Sequence, residues 1–383
     1  MRGEPQALRH SEHSNRGGQT MPTQDTQPNF DQTRAEAFAG KLLATLNHGA
    51  LCLAVSIGHR TGLFDIMSQM SPARAEEIAT RAGLSERYVR EWLGAMVTGG
   101  VVDFDPTGSR YSLPAEHAAF LTRPAGADNL AVFAQYVALL GCVEDDIVDC
   151  FKRGGGVPYE KFPRFHEVMA EDSGQSVLSV LESHILPLVP DVIDGLTRGI
   201  RVLDAGCGRG RILNRLAELY PASRFVGMDL SETAVAAARE DASDKGLVNV
   251  EFTAVDLTEF HETAEPESFD FITTFDAVHD QARPLNVLKG IRRALKTEGV
   301  YLMQDISGTS HVHKDIDHPI GTFLYTVSLM HCMTVSLAQG GEGLGAMWGE
   351  EKTREYLQEA GFRSITTHRL AHDIQNNWYV VKR

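Results

Sequence analysis

The stretch Val202–Gly210, VLDAGCGRG, sets an aspartate inside an apolar run and follows it with glycines at alternate positions, Gly206, Gly208 and Gly210. An apolar run that ends in bared backbone marks a buried strand turning into a helix beside a ligand. A dinucleotide fingerprint reads Gly-x-Gly-x-x-Gly, but Arg211 stands where its third glycine belongs. Asp204, two residues before the first glycine, would repel a pyrophosphate and suits an ammonium group.

The methionine end of S-adenosylmethionine carries such a group, and the residues downstream fit that donor. Arg211–Tyr220 places Ile212, Leu213, Leu216, Ala217 and Tyr220 at helical spacing, and Pro221 ends the run. Phe225–Leu230 is a second buried strand with Asp229 at its tip and Ser231 capping the next helix. An acid about 20 residues beyond the glycines is placed for both ribose hydroxyls. A third strand, Val250–Val255, ends in Asp256, placed for the adenine amino group, and Leu257, placed to pack on the ring. Phe269–Phe275 and Val300–Asp305 are the fourth and fifth strands. Strands alternating with helices predict a parallel sheet with ligands at its carboxyl edge. The predicted cofactor contacts are Asp204, Ala205, Gly206, Gly208, Gly210, Asp229, Leu230, Asp256, Leu257 and Phe275.

Through VLDAGCGRG, GMDL, VDL and FDFITTFDAVHD, the chain resembles the class I S-adenosylmethionine-dependent methyltransferases of the small-molecule type. The resemblance implies an α/β fold with a Rossmann-like seven-stranded sheet over residues 200–383. Ser364–Leu370 and Trp378–Arg383 are placed for its last two strands.

A formal charge of −15 leaves no cationic surface to displace counterions from phosphates, so a nucleic-acid partner is not expected. The five cysteines are scattered, with no Cys-x-x-Cys pair, which suggests neither a disulfide framework nor a zinc site and fits a reducing, cytoplasmic setting. No apolar segment is read as long enough to span a membrane. Residues 1–33 are polar and read as a disordered tail, with Met21 a second candidate start.

Residues 34–120 form a further unit. AEEIATRAGLSERYVREWLGAMVTGGVVDF reads as helix, turn at Gly83, second helix capped by Ser85, a glycine stop at Gly99–Gly100, and a strand that pairs with Arg110–Leu113. This is a winged helix. It raises the rival reading of a cofactor-sensing transcriptional regulator without catalysis. Against that, residues 71–112 carry five arginines and no lysines beside six acids, whereas a DNA reader usually has a basic face. In the caffeate-type O-methyltransferases and their microbial relatives a similar domain makes the dimer, and the resemblance implies a homodimer here. Residues 121–199 read as a helical linker, with RGGGVPYEKFPRFHE as either a lid hinged at Gly154–Gly156 or a packed turn.

Methyl transfer from a sulfonium needs an aligned nucleophile and removal of its proton. His279, in FDAVHDQARP just after the fourth strand, is the candidate base, oriented by Asp280 or Asp276. The His279–Asp280 pair matches the His–Asp of the caffeate-type enzymes, but Gln281 follows where they continue with tryptophan. The alternative gives His279 a helix-capping or cofactor-contact role without proton transfer. The Asn/Asp-Pro-Pro-Tyr sequence of amino-methylating relatives is missing after this strand, so the predicted acceptor is a hydroxyl or thiol of a small molecule. Residues 306–349 form an apolar helical insertion expected to cap the site. Tyr159, Phe162, Tyr325, Met330 and His331 are the predicted acceptor contacts. His311, His313 and His318 near Asp315 and Asp317 are too weakly spaced for a metal site, and none is predicted.

Overall fold

The computed structural model describes residues 30–383, so the tail reading lies almost wholly outside the described residues. The helix Gln32–Arg60 comes first. Residues 30–46 belong to a unit separate from residues 47–383. Along this helix Phe38, Leu42, Leu43, Leu46, Leu53 and Ile57 are exposed. Its 29 residues contain an 18-residue window of mean hydropathy 1.3, so by length and composition it is able to cross a membrane. The helical run Gly321–Ala338 also qualifies. The reading that no segment is long enough is corrected on both, because single small and polar residues interrupt the apolar run to the eye without lowering its mean below that of a span.

The winged helix is built as predicted. Helices Ala75–Ala82 and Glu86–Thr98 flank Gly83, whose φ of +66° suits glycine, and the wing is the hairpin of β1 (Asp103–Asp105) and β2 (Arg110–Ser112). Asp105 shapes the hairpin turn by accepting from the backbone of Thr107 and Gly108 at 2.9 and 3.2 Å. Ser85 stands at the helix start without a side-chain capping bond. Phe64, Ile78, Trp92, Leu93 and Met96 form the core here, and the Trp92 indole donates to the Ala54 carbonyl at 2.8 Å.

The second layer system is a seven-stranded sheet: β3 (Arg201–Ala205), β4 (Arg224–Asp229), β5 (Val250–Ala254), β6 (Phe269–Phe275), β7 (Leu295–Ile306), β8 (Ser364–His368) and β9 (Asn376–Lys382), in the order β5-β4-β3-β6-β7-β9-β8. The first five strands in that order are parallel, and β9 runs antiparallel to both neighbours. The chain reverses its direction of strand addition between β3 and β6, which opens a crevice at their carboxyl ends. Helices cover both faces, so β3 and β6 are buried along almost their whole length rather than on alternate residues. Leu203, Ile272, Tyr301 and Tyr379 pack on one face, and Val202, Phe225, Phe271 and Trp378 on the other. Burying each such side chain stabilises the fold by roughly 1.5–3 kcal/mol.

The insertion after β7 consists of Gly321–Val327, a wide helical turn Ser328–Cys332, Met333–Ala338 and a short turn at Ala346–Trp348, leading into helix Gly349–Glu359. The glycine-rich segment of residues 153–167 packs on it. Gly156 lies so close to the backbone of Thr334 and Ala338 that a Cβ would collide there. The Val157 amide donates to the Thr334 hydroxyl at 2.8 Å.

Candidate active site

The glycine turn is held by backbone bonds. The amides of Gly206 and Cys207 both donate to the Met228 carbonyl, at 2.7 and 3.0 Å. The three glycines have different neighbours. A Cβ on Gly210 would meet Phe252 at 2.5 Å and Ala238 at 2.7 Å, and one on Gly206 would strike Ala277, so both sit under packed side chains. At Gly208, where φ is +52°, a Cβ would meet nothing within 4 Å. That backbone faces open space, as a ligand cradle requires.

The acids sit where the sheet predicts. Asp204 is buried at the end of β3, accepting from the Thr273 hydroxyl at 2.8 Å. Burial pushes its carboxyl up to about 7, against the pull of that hydroxyl, and no cation among the described residues offsets it. Asp229, at the end of β4, accepts from the Gly208 amide at 2.8 Å and the Ser231 amide at 2.9 Å. Ser231 caps the following helix through the Ala234 amide. Asp256 is exposed and accepts from the Thr258 amide, while Leu257 is packed into the core on one face of the sheet. Ala205 is buried, Leu230 is 48% exposed, and Phe275 lies edge-on to Trp378. Burial pushes the Cys207 thiol well up, which keeps it a neutral side chain rather than a thiolate.

Across the crevice, His279 is buried after β6 and its Nδ1 lies 2.8 Å from Oδ1 of Asp305, the residue next to the end of β7. Neither Asp280 nor Asp276 orients the imidazole, contrary to the expectation from sequence. Strands β6 and β7 are neighbours, so an acid at the tip of β7 reaches the ring, whereas Asp280 is turned to Tyr159. The Trp348 indole and the Ile306 amide also donate to Oδ1 of Asp305, each at 2.9 Å. Burial alone pushes the His279 imidazole down. The Asp305 carboxylate outweighs it and, with Cys332 alongside, lifts the group well above 6.5. Burial also pushes the Cys332 thiol up, which keeps it neutral, so the carboxylate carries the effect.

Asp280 accepts a hydrogen bond from the Tyr159 hydroxyl, 121 residues away in sequence, and burial pushes its carboxyl up to about 6. His331 is stacked on Phe165 with ring centroids 3.7 Å apart, and Phe162 meets it edge-on at 4.7 Å. Burial, then the nearby His279 and His166, pushes the His331 imidazole well below its usual value. A cavity of about 50 Å³ is lined by His279, Asp280, Asp276 and His331, with Phe165, Met169, Phe323 and Cys332 among its other walls. Of the five predicted acceptor contacts, His331 lines it and Tyr159 reaches it through Asp280. Phe162 lies behind His331. Tyr325 donates instead to Asp315 at 2.9 Å, and Met330 packs with the cluster around Tyr136 and Val335.

The histidines of the insertion do not converge: His311 pairs with Glu351 at 2.7 Å and His318 with Ser307 at 3.1 Å. Among the described residues the close group of ligand-type side chains is Glu259, His261 and Glu262 on an outer turn. A second cleft of about 570 Å³ lies between Arg209 and Arg211 on one side and Glu167, Glu171 and Gly174 on the other.

Asp305 was not singled out from the sequence as a functional residue. A signal for Asp305 existed, since an acid ending the strand beside β6 is placed like Asp204 and Asp229 at the same edge.

Comparison with known families matches residues 196–361 to a methyltransferase domain and residues 49–123 to an Rv2258c-like winged HTH domain. The chain carries a methyltransferase domain behind a winged-helix domain. This methyltransferase domain is similar to the ubiquinone biosynthesis O-methyltransferase of Neisseria meningitidis serogroup C, 31% identical over 150 residues, which are 38% of this chain and 60% of that one. The homologue from Glaesserella parasuis is 26% identical over 158 residues, covering 40% and 65%. The chain thus spans about three fifths of the length of these curated relatives. Among solved structures, the mitomycin 7-O-methyltransferase MmcR superposes with a TM-score of 0.65 at 19% identity, covering 92% of this chain and 100% of that one. Human N-acetylserotonin methyltransferase, solved in complex with SAM, gives 0.62 at 18% identity, covering 93% and 99%. These likenesses extend over the winged helix as well as the sheet and establish the shared fold.

Proposed function

We propose that the protein transfers a methyl group from S-adenosylmethionine to a hydroxyl of a small molecule. The observation that carries this reading is the placement of the His279–Asp305 pair across the sheet's carboxyl edge from Asp204, Gly208 and Asp229. The residues present fit the donor. Asp204 is a buried carboxyl with no cation beside it, and the Gly208 backbone faces open space. Asp204 would hold the ammonium group, Asp229 the ribose hydroxyls, and Asp256 the adenine edge. When bound, S-adenosylmethionine supplies a methyl group already activated on a sulfonium.

The chain's own residues supply the rest. With Nδ1 engaged by Asp305, Nε2 is the His279 nitrogen left for the cavity. A base raised above 6.5 narrows the gap to a phenolic proton near pKa 10 and so favours its removal. Apolar walls exclude water from that transfer. The cavity is about a third of the roughly 150 Å³ that holds a benzene ring. An aromatic acceptor therefore enters only if the Tyr159 segment swings away and closes again over it, with Asp280 as its catch. Sulfur is the weaker reading. Met330 packs elsewhere, and a thiol with pKa near 8.5 needs the base less.

The regulator reading is not favoured. Arg87 and Arg90 on the second helix of the winged unit are ion-paired with Glu91 and Glu86 at 2.5 and 2.6 Å, leaving that face without free cations for a phosphate backbone. We place the protein in the cytoplasm as a homodimer, with the exposed Phe38, Leu42, Leu46, Leu53 and Ile57 of the long helix meeting a second copy. Incubation with methyl-labelled S-adenosylmethionine and a panel of phenols and thiols tests the reaction. A labelled methyl ether, formed by wild type and reduced at least about 100-fold in His279→Ala at unchanged cofactor affinity, supports it. A thioether product, or turnover retained in the variant, overturns the assignment.

A further inference from the structure

Asp276 is the group in the cavity that this mechanism does not use. It follows β6 directly and has a φ of +49°, the left-handed region that a residue other than glycine seldom occupies. Its amide donates to the Gln304 carbonyl at 3.1 Å, so the neighbouring strand holds the conformation in place. Backbone strain of this kind clusters where a side chain must be aimed. Here it aims a carboxyl into the cavity, where Oδ1 is buried with no hydrogen-bond partner among the described residues.

An unpaired carboxyl in apolar surroundings has two ways to be satisfied: it stays protonated and donates to a neutral oxygen, or it ionises against a cation. The surroundings decide between them. Burial, then the neighbouring Asp305, pushes Asp276 well above the usual carboxyl range, with Asp373 and Asp172 adding to the effect. The nearest basic group, His279, is committed to Asp305. The protonated, donating form therefore prevails. Other polar groups share the wall: the Tyr136 hydroxyl donates to Asp172 at 2.9 Å, His331 is held neutral by burial with its Nε2 unpaired among the described residues, and Gln375 also lines the cavity.

We propose that Asp276 is a specificity-determining residue whose carboxyl donates a hydrogen bond to an acceptor oxygen flanking the methylated hydroxyl. The preferred acceptor is then a hydroxyl with a neighbouring ether or carbonyl oxygen. Asp276 and His279 are three positions apart in the chain, and both line the same small cavity. A fragment that offers its hydroxyl to His279 thus sets the adjoining atom against Asp276. Ile306, Leu324 and Val327 on the facing walls are apolar and offer that atom no partner. The inference rests on the methyl-transfer reading above.

The test compares 2-methoxyphenol with 4-methoxyphenol, isomers that differ in where the acceptor oxygen lies. Binding in the presence of S-adenosylhomocysteine and steady-state kinetics are measured on the full chain for wild type, Asp276→Asn and Asp276→Gly. Both replacements tolerate the left-handed backbone. Asparagine keeps a donor and loses the acid, whereas glycine removes both. The expected result is a roughly tenfold preference for the 2-isomer in KM, kept within about threefold in Asp276→Asn and abolished in Asp276→Gly, with kcat for the 4-isomer unchanged. Three outcomes overturn the proposal: no preference in wild type, a preference surviving in Asp276→Gly, or Asp276→Asn behaving like Asp276→Gly. Methylation of 4-methoxyphenol by the wild-type chain keeps this failure distinct from failure of the underlying reading, because only the latter leaves both isomers unmethylated.

Discussion

Oδ1 of Asp305 accepts from Nδ1 of His279 at 2.8 Å and from the Trp348 indole at 2.9 Å, tying the ends of β6 and β7 to the helical insertion through one oxygen. Asp305→Asn keeps the shape and removes the charge that orients the imidazole. We expect kcat/KM to fall by about 10²-fold or more with cofactor binding unchanged. Steady-state kinetics beside calorimetry checks this. A fall confined to KM would show that Asp305 shapes acceptor binding rather than the base.

The pH profile follows from the direction of the His279 shift. Asp305 raises the imidazole well above 6.5, so the neutral base is scarce at pH 6.5 and gains population as the pH rises through the folded-state value. The acid limb of kcat/KM is therefore expected above pH 6.5 and should move down in Asp305→Asn. The same shift has a stability counterpart. The ion pair stabilises the fold fully below the unfolded value near 6.5, and that contribution is lost as the pH rises through the raised folded value. A limb at or below 6.5 would contradict the pairing.

At Asp204, binding and stability pull in opposite directions. Its folded value of about 7 lies above the usual 3.8, so the buried carboxyl suits the fold below 3.8 and increasingly destabilises it as the pH rises toward 7. Asp204→Asn should raise the melting temperature of the ligand-free protein at pH 8 more than at pH 5. It should also weaken S-adenosylmethionine binding by about tenfold or more, through loss of a charge-assisted bond. Thermal melts at the two pH values and calorimetry read both effects. A variant less stable at pH 8 than wild type would refute the account of its burial.

Gly208 and Gly210 are two residues apart and should respond differently. Gly210→Ala drives a methyl into Phe252 and Ala238, so it is expected to lower expression and melting temperature sharply. Gly208→Ala meets no atom within 4 Å, so only its left-handed backbone resists, at about 1 kcal/mol. Its main effect should be on cofactor affinity. Equal destabilisation of the two would mean that the Gly208 backbone is packing, not cradle.

The five parallel strands were legible because each carries an apolar run with an acid at or just past its carboxyl end, and those acids fall at one edge, whereas β8 and β9 were placed by the resemblance. Phe269–Phe275 is found where it was placed. The glycine turn was legible for the same reason. The partner of His279 was not, since which acid reaches the ring depends on strand neighbours, and β6 and β7 are adjacent only in the folded sheet. The acceptor wall was read in part. His331 and Tyr159 reach the cavity, while Tyr325 and Met330, equally plausible on an apolar helix, point to Asp315 and to the Tyr136 cluster. Helix phase across a wide turn at Ser328–Cys332 is set by packing, and periodicity alone does not reveal it.

The central claim is that the turn after β3 receives S-adenosylmethionine. Calorimetric titration of the wild-type chain and of Asp229→Ala with S-adenosylmethionine, with NAD as the competing ligand class, tests it most directly. The account predicts micromolar binding of S-adenosylmethionine to wild type, its loss in Asp229→Ala, and no heat from NAD. Binding of NAD, or no binding of S-adenosylmethionine to wild type, would contradict it.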